Sequence, residues 1–272
     1  MASTAGTGRR LPGGLVEDDQ RQRDWTFRPV SGELELGLAE IGEQASSMPD
    51  AVTRALSTAL ARLAGGPPTP QRVDALCVAD RQFLMHELER HLGTEARWLQ
   101  ARCDACGTLF DLRVDYADLP VKEAGPGFPM ARVESGGCSV DLRLPTGLDQ
   151  QALAHMTEEE AAPWLLRQLA GLPAQADLPL DEQGLRDAEE ALDAVAPAVV
   201  QQLQSRCPDC AHDQVVDLDP YMVLRRGSRG LLDEIHRIAW HYHWSEAEIL
   251  ALPRTRRRRY LDLIDRSRGM SS

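Results

Sequence analysis

The sequence predicts a mostly helical α+β protein of two similarly ordered halves, joined at a shared four-cysteine centre and followed by a helical module. Three observations carry that expectation. Two Arg-Cys-x-x-Cys stretches, RCDAC and RCPDC, supply Cys103 with Cys106 and Cys207 with Cys210. FRPVSGELELGLA (27–39) can be laid beneath LRLPTGLDQQALA (142–154), each passing from an extended segment through Ser-Gly or Thr-Gly into a Leu/Ala helix. After Leu224 the chain becomes a run of short, clearly punctuated helices.

Taken in order, residues 1–24 are expected to be a disordered tail. The first half covers 25–120, with a helix start at Ser31, a long helix over about 71–92 and the first knuckle at Cys103/Cys106. VKEAGPGFPMARVESGG, rich in Gly and Pro, makes 121–137 a linker. The second half covers 138–224, with a helix start at Thr146, a helix over about 182–205 and the second knuckle at Cys207/Cys210. ALSTALARLAGG (55–66) parallels APWLLRQLAG (162–171), each ending at a Gly stop. A strand follows each knuckle, TLFDLRVDY and QVVDLDP, with Val114-Asp115 and Leu218-Asp219 at equivalent places. A duplicated strand–helix–knuckle unit explains this order; chance alignment of Leu/Ala helices is the alternative.

The knuckles specify chemistry. Each lets two thiolates converge from one tight turn, and two of them complete a tetrahedral Cys₄ cage of the kind zinc favours. The pairs lie much farther apart than the roughly 15–20 residues of a compact ribbon, so each half is expected to contribute two ligands. Redox motifs or chance spacing are the alternatives. A filled Cys₄ site keeps no open position for water or substrate, which makes the expected zinc structural. Cys77, in VDALCVADRQFLMHEL, reads as a buried thiol and Cys138, in CSVDLRL, as a strand thiol, with stray ligation as the alternative for either.

Composition narrows the function classes. Lys plus Arg number 30 against 42 Asp plus Glu, and the net charge of −12 argues against a general basic face for nucleic acid. One local basic patch is still compatible. No run approaches the roughly 18 consecutive apolar residues of a membrane span, and MASTAGTGRRLPGG lacks the apolar core of a secretory signal. A reducing, cytoplasmic setting is therefore expected, where the 6 cysteines read as ligands or buried thiols before disulfides. HELERH (86–91) is one residue too long for the H-E-x-x-H motif, because five helical steps turn His91 about 140° away from His86. No G-x-S-x-G elbow, Walker loop or Rossmann fingerprint occurs, so a non-enzyme is expected.

In the C-terminal module (225–267), Leu231, Leu232, Ile235, Ile238, Ala239 and Tyr242 form one apolar helix face. Ser245 and Glu248 fit a capping box, and Pro253 opens a last helix whose Tyr260, Leu261 and Ile264 can pack inward. His236 and His243 lie on one side of a helix but have no Cys or carboxylate set to complete a metal site. RTRRRRY is the dense basic run, readable as a solvated face, a protein-docking patch or a phosphate-binding patch.

The series TFRPVSGELELGLAE, LCVADRQFLM, ARCDACGTLFDLRVDYADLPV, VDLRLPTGLDQQALA, RCPDCAH and EIHRIAWHYHWSEAEILALPRTRRRRYLDLI resembles the T-even-type baseplate hub assembly chaperones of contractile phage tails and related injection systems. That resemblance implies a helper that promotes assembly of the baseplate or its hub, with baseplate or tail-hub proteins as partners. It carries Cys103, Cys106, Cys207 and Cys210 over as metal-site residues. The aromatic and Arg residues Trp240, Trp244, Arg256, Arg257 and Tyr260 are the candidate partner-binding set; closure of a small helical core is the other reading of the aromatics. A permanent baseplate component is the nearest variant. The rival is a zinc-ribbon nucleic-acid-binding regulator acting through Arg254 and Arg256–Arg259.

Overall fold

A computed structural model describes residues 10–93, 96–135, 138–173, 175–177, 179–267 and 269. The fold is mixed α and β, with small antiparallel sheets. Its chain opens with a hairpin, β1 (Arg10–Glu17) and β2 (Gln20–Phe27). Asp18 and Asp19 close it with φ of 49° and 58°, the left-handed pair whose twist matches that of the strands. This corrects the expected disordered tail over 1–24, of which 1–9 lie outside the described residues. The hairpin is held by distant partners. Leu11 and Leu15 are buried, and at the bulge between Arg10 and Leu15 the amides of Gly13 and Gly14 donate to Asp80 Oδ1 and Oδ2 at 2.7 and 2.6 Å.

Helix α1 (Gly32–Gln44) starts where expected, the Ser31 hydroxyl accepting from the Leu34 amide. Ser47 does the same for α2 (Met48–Ala59), and β3 (Leu60–Leu63) then pairs with β2 to complete the order β1-β2-β3. The expected single helix over 71–92 is two: α3 (Pro70–Asp74) and α4 (Val78–His91). The break at Ala75-Leu76-Cys77 is stabilised from the second half. Val78 N–H donates to the Pro145 carbonyl at 3.1 Å, and Leu76 C=O accepts from Gly147 at 3.2 Å. Those bonds replace helical ones, so local propensity loses to tertiary pairing. The main core lies between this sheet and α1–α4, with Leu56, Leu60, Leu63, Val73, Leu84 and Met85 fully enclosed.

A second hairpin follows, β4 (Ala96–Arg102) with β5 (Leu109–Asp115). Of the expected linker over 121–137, residues 121–135 are instead structured, and 136 and 137 lie outside the described residues. The segment holds β6 (Val121–Lys122) and β7 (Met130–Ser135), the latter paired with β8 (Cys138–Arg143). Ala131 and Val133 are buried while Arg132 is exposed, a period-two pattern masked in the sequence by the neighbouring Gly and Pro. Three helices come next: α5 (Gly147–Leu153), α6 (Glu158–Leu169) and α7 (Glu182–Val195). The expected helix over 182–205 stops early, because 196–206 turns extended: β9 (Ala198–Val199) pairs with β6, and β10 (Gln202–Arg206) with β11 (Asp213–Asp217). Pro197 has no amide to continue a helix and Val199 is β-branched.

Both halves thus run through one order: hairpin, capped helix, second helix, long helix, knuckle hairpin. The first half adds β3 and α3. After a 3₁₀ turn at Met222–Arg225 come α8 (Arg229–Tyr242), α9 (Glu246–Leu250) and α10 (Arg254–Ser267). They enclose a separate small core of Ile235, Ile238, Ile249, Leu250, Leu261 and Ile264. The Ser245–Glu248 capping box is formed, but Leu232, expected on the apolar face, is 45% exposed. Among the described residues no helix is long and apolar enough to cross a membrane.

Candidate metal centre

The two knuckles are the tips of the β4–β5 and β10–β11 hairpins. In each, the first cysteine anchors the turn through its own backbone. Cys103 N–H donates to Thr108 C=O and Cys207 N–H to His212 C=O, both at 2.9 Å. Cys103 C=O accepts from Gly107 at 2.9 Å, and Cys207 C=O from Ala211 at 3.0 Å. The arginine before each pair has a defined role. Arg102 Nη1 donates to the Gly107 carbonyl at 2.8 Å and Arg206 Nε to the Ala211 carbonyl at 3.0 Å, which pins the far side of each turn. Gly107 has φ +74° and Ala211 φ +59°, so one knuckle places a β-carbon where the backbone favours glycine. Ala211→Gly is expected to stabilise the protein by about 0.5–1 kcal/mol, and Gly107→Ala to destabilise it by about 1 kcal/mol. Opposite signs in denaturant melts of the two variants check this.

The hairpins meet face to face. Val114, Tyr116 and Leu218 are buried between them, with Leu99, Leu112 and Leu203 alongside. Val114 and Leu218, equivalent in the sequence, therefore share one small core. Gln214 ties knuckle to knuckle, accepting from the Asp104 amide at 3.2 Å and donating to the Arg102 carbonyl at 3.1 Å. Thr108 Oγ1 adds a bond to Asp209 at 3.1 Å. Sequence reasoning missed Gln214, since nothing in its neighbours marks it.

This packing gathers all four sulfurs within 4.8 Å of one another. Cys103 Sγ lies 3.6 Å from Cys210 Sγ, and Cys106 Sγ 3.7 Å from Cys207 Sγ. A tetrahedral cage with metal–sulfur bonds of about 2.3 Å has sulfur–sulfur edges of about 3.8 Å. A disulfide needs about 2.05 Å. The set therefore fits a metal such as zinc and holds no disulfide. Cys103 and Cys207 are buried, while Cys106 and Cys210 face solvent. Without a cation the sulfurs cannot all ionise. Hydrogen bonds from the Thr108 hydroxyl and amide lower the Cys106 thiol to about 6. The His212 amide acts to lower Cys210 too, but its bond to Cys106, burial and the other two sulfurs outweigh that, and it is pushed up to about 12. A bound cation removes this conflict. With four protein ligands no coordination position is left for chemistry.

The remaining candidates fall elsewhere. Cys77 is buried at the start of α4 beside Ala131, Leu144 and Val195, away from the cage. Cys138 begins β8, and its side chain lies outside the described residues. His86 is packed on Tyr116, and its pKa is held down to about 4 by burial, with Asp219 opposing. His91 instead bonds the Arg28 carbonyl at 2.7 Å beside Phe27, so the two rings of HELERH face different surroundings. His236 stacks near Trp240, and His243 ends α8 with φ +56°.

The candidate partner-binding set is split. Trp240 is 71% exposed and Arg256 is exposed. Trp244 and Tyr260 are half-buried in an aromatic stack with Tyr242, which closes the small C-terminal core. Arg257 is fully enclosed, donating to Glu35 at 2.7 Å and Glu234 at 3.4 Å, so it has no surface to offer. The reason is local: Arg257 lies on the same face of α10 as Leu261 and Ile264. A further exposed aromatic, Trp98 at 67%, stands on the outer face of β4 opposite Arg113. Its outward place could be read from the alternation in ARWLQAR.

No family model, curated protein or solved structure matches the chain.

Proposed function

We propose that this chain is a non-enzymatic assembly chaperone, or a component, for the baseplate hub of a contractile phage tail or phage-tail-like injection system. The carrying observation is the resemblance to that family, which runs through both knuckles, the two Ser/Thr-Gly helix starts and α8–α10. The closed sulfur cage supports a structural metal, and zinc is the ion whose geometry and ligand preference fit it. We read the common order of the halves as an ancient duplication, each copy supplying two ligands.

In this reading the body is a rigid frame and the exposed aromatics dock the client. Trp240, with Leu232 two turns earlier on α8, and Arg256 on α10 form the candidate contact. Client surfaces that would otherwise self-associate are covered until assembly. Nucleic acid is the weaker alternative, because Arg254 and Arg257 of the basic run are already engaged by Glu35.

Affinity capture with the baseplate and hub subunits encoded beside its gene is the test. Retention of one hub subunit by the full chain is expected, with loss on Trp240→Ala plus Arg256→Glu. Failure to retain any of them, together with normal particle assembly when the gene is deleted, overturns the proposal. Salt-sensitive retention of DNA or RNA instead would favour the regulator.

A further inference from the structure

Residues 69–91 and 245–267 carry the same plan with no gap between them. Thr69 and Ser245 cap the short helices α3 and α9, each hydroxyl accepting from the amide three residues on, at 3.4 and 3.3 Å. Ala75 and Ala251 end those helices, and α4 and α10 begin at Val78 and Arg254. On this alignment Val73 falls on Ile249, Arg81 on Arg257, Met85 on Leu261 and Leu88 on Ile264. All eight side chains are buried, both arginines completely. Arginine is rarely enclosed, so its burial twice at one step of the same motif is a specific coincidence. α2 also lies against α3 and α4 as α8 lies against α9 and α10.

Both arginines meet the same kind of object. A β-carbon on Gly147 would lie 2.3 Å from Arg81 Nη1, and one on Gly32 2.9 Å from Arg257 Nη1. Gly147 follows Thr146 at the start of α5, and Gly32 follows Ser31 at the start of α1. The arriving helix adds one polar side chain from its first turns. Gln151 donates to Asp74 at 2.9 Å, and Glu35 accepts from Arg257 at 2.7 Å. A cation beside a helix amino end is electrostatically adverse, and each unit offsets it with its own carboxylate, Asp74 or Glu234.

We infer that α2–α3–α4 and α8–α9–α10 are two copies of one receptor, whose ligand is the amino end of a helix beginning Ser-Gly or Thr-Gly with an amide or carboxylate one turn on. Its occupants are α5 in the first copy and α1 in the second. Glycine is required because the guanidinium occupies the space of a side chain. A cavity of about 210 Å³ borders the second receptor and its occupant at Glu35, Leu38, Arg226, Leu231, Glu234 and Arg254.

Hydrogen exchange on the full chain tests this without reference to any client. Gly32→Val is expected to speed exchange across α8–α10 about tenfold or more, which is about 1.4 kcal/mol of lost protection, with β4–β5 and β10–β11 unchanged. A peptide of residues 28–44 in excess should restore slow exchange in α8–α10, and the same peptide carrying Gly32→Val should not. Unchanged exchange in α8–α10, or equal action of the two peptides, or none by either, overturns the inference. Should Gly32→Val fail to fold, Glu35→Gln carries the same expectation at smaller amplitude, and unchanged exchange there overturns it equally.

Discussion

Cys207→Ser is expected to abolish stoichiometric metal binding and to lower the melting temperature by about 10 °C or more. Cys207 is one of the two buried sulfurs, 3.7 Å from Cys106 on the opposite hairpin. Its loss removes a ligand from one half and the charge balance from both. Structural zinc contributes on the order of 10–16 kcal/mol in finger peptides. Here the small core of Val114, Tyr116 and Leu218 persists without it, so a loss of about 5 kcal/mol is expected, at about 2 °C per kcal/mol for a chain of this size. Metal analysis and thermal melts, with and without chelator, make the measurement. Loading displaces protons from the thiols, so occupancy should fall as pH falls. A metal-free protein with the unaltered melting temperature of the wild type would remove the clamp.

Asp80→Ala is expected to cost about 3–5 kcal/mol, nearly as much, at a site with no metal. The carboxylate is fully buried and accepts from both Gly13 and Gly14, so truncation leaves two enclosed amides without an acceptor and opens a cavity between β1 and α4. The approach is close enough to require glycine, since a β-carbon on residue 13 would lie 2.5 Å from Asp80 Oδ2. The group also leaves a mark in pH dependence. Burial raises its pKa above the ordinary carboxylate value, against the lowering effect of the two amides. A carboxyl with a raised folded-state pKa binds its proton more tightly folded than unfolded. Its contribution is therefore largest at acid pH and declines as pH rises from about 4 through the raised value. Asp80→Asn should flatten the stability curve in that window. Denaturant melts across pH on wild type and Asn variant read the slope directly, and identical slopes would exclude Asp80 as its source.

What could be read in the sequence is what is local. Two C-x-x-C pairs with matching flanks announce a shared cage because ligand spacing within a knuckle is set by one turn. Ser31, Thr146 and the Ser245–Glu248 pair announce helix starts because the capping bonds span three residues. Beyond that range the reading misplaced elements. Residues 10–24, most of the first hairpin, looked like a tail, because the acceptor for its bulge belongs to Asp80 in α4. The segment 121–137 looked like a linker, because β6 finds its partner in β9, far along the chain. Arg257 looked like a surface residue within an arginine run; it shares a helix face with Leu261 and Ile264, and Glu35 and Glu234 satisfy its charge inside.

The sequence by itself determined which four cysteines cluster, the helix starts and the short helices after Leu224. Tertiary structure alone decided which strands pair, where the long helices break, and that each buried arginine meets a glycine from another segment. The physical reason is range. Capping and knuckle geometry are satisfied within a few residues, whereas buried amides, carboxylates and guanidiniums are satisfied by whichever distant group the packed core brings to them.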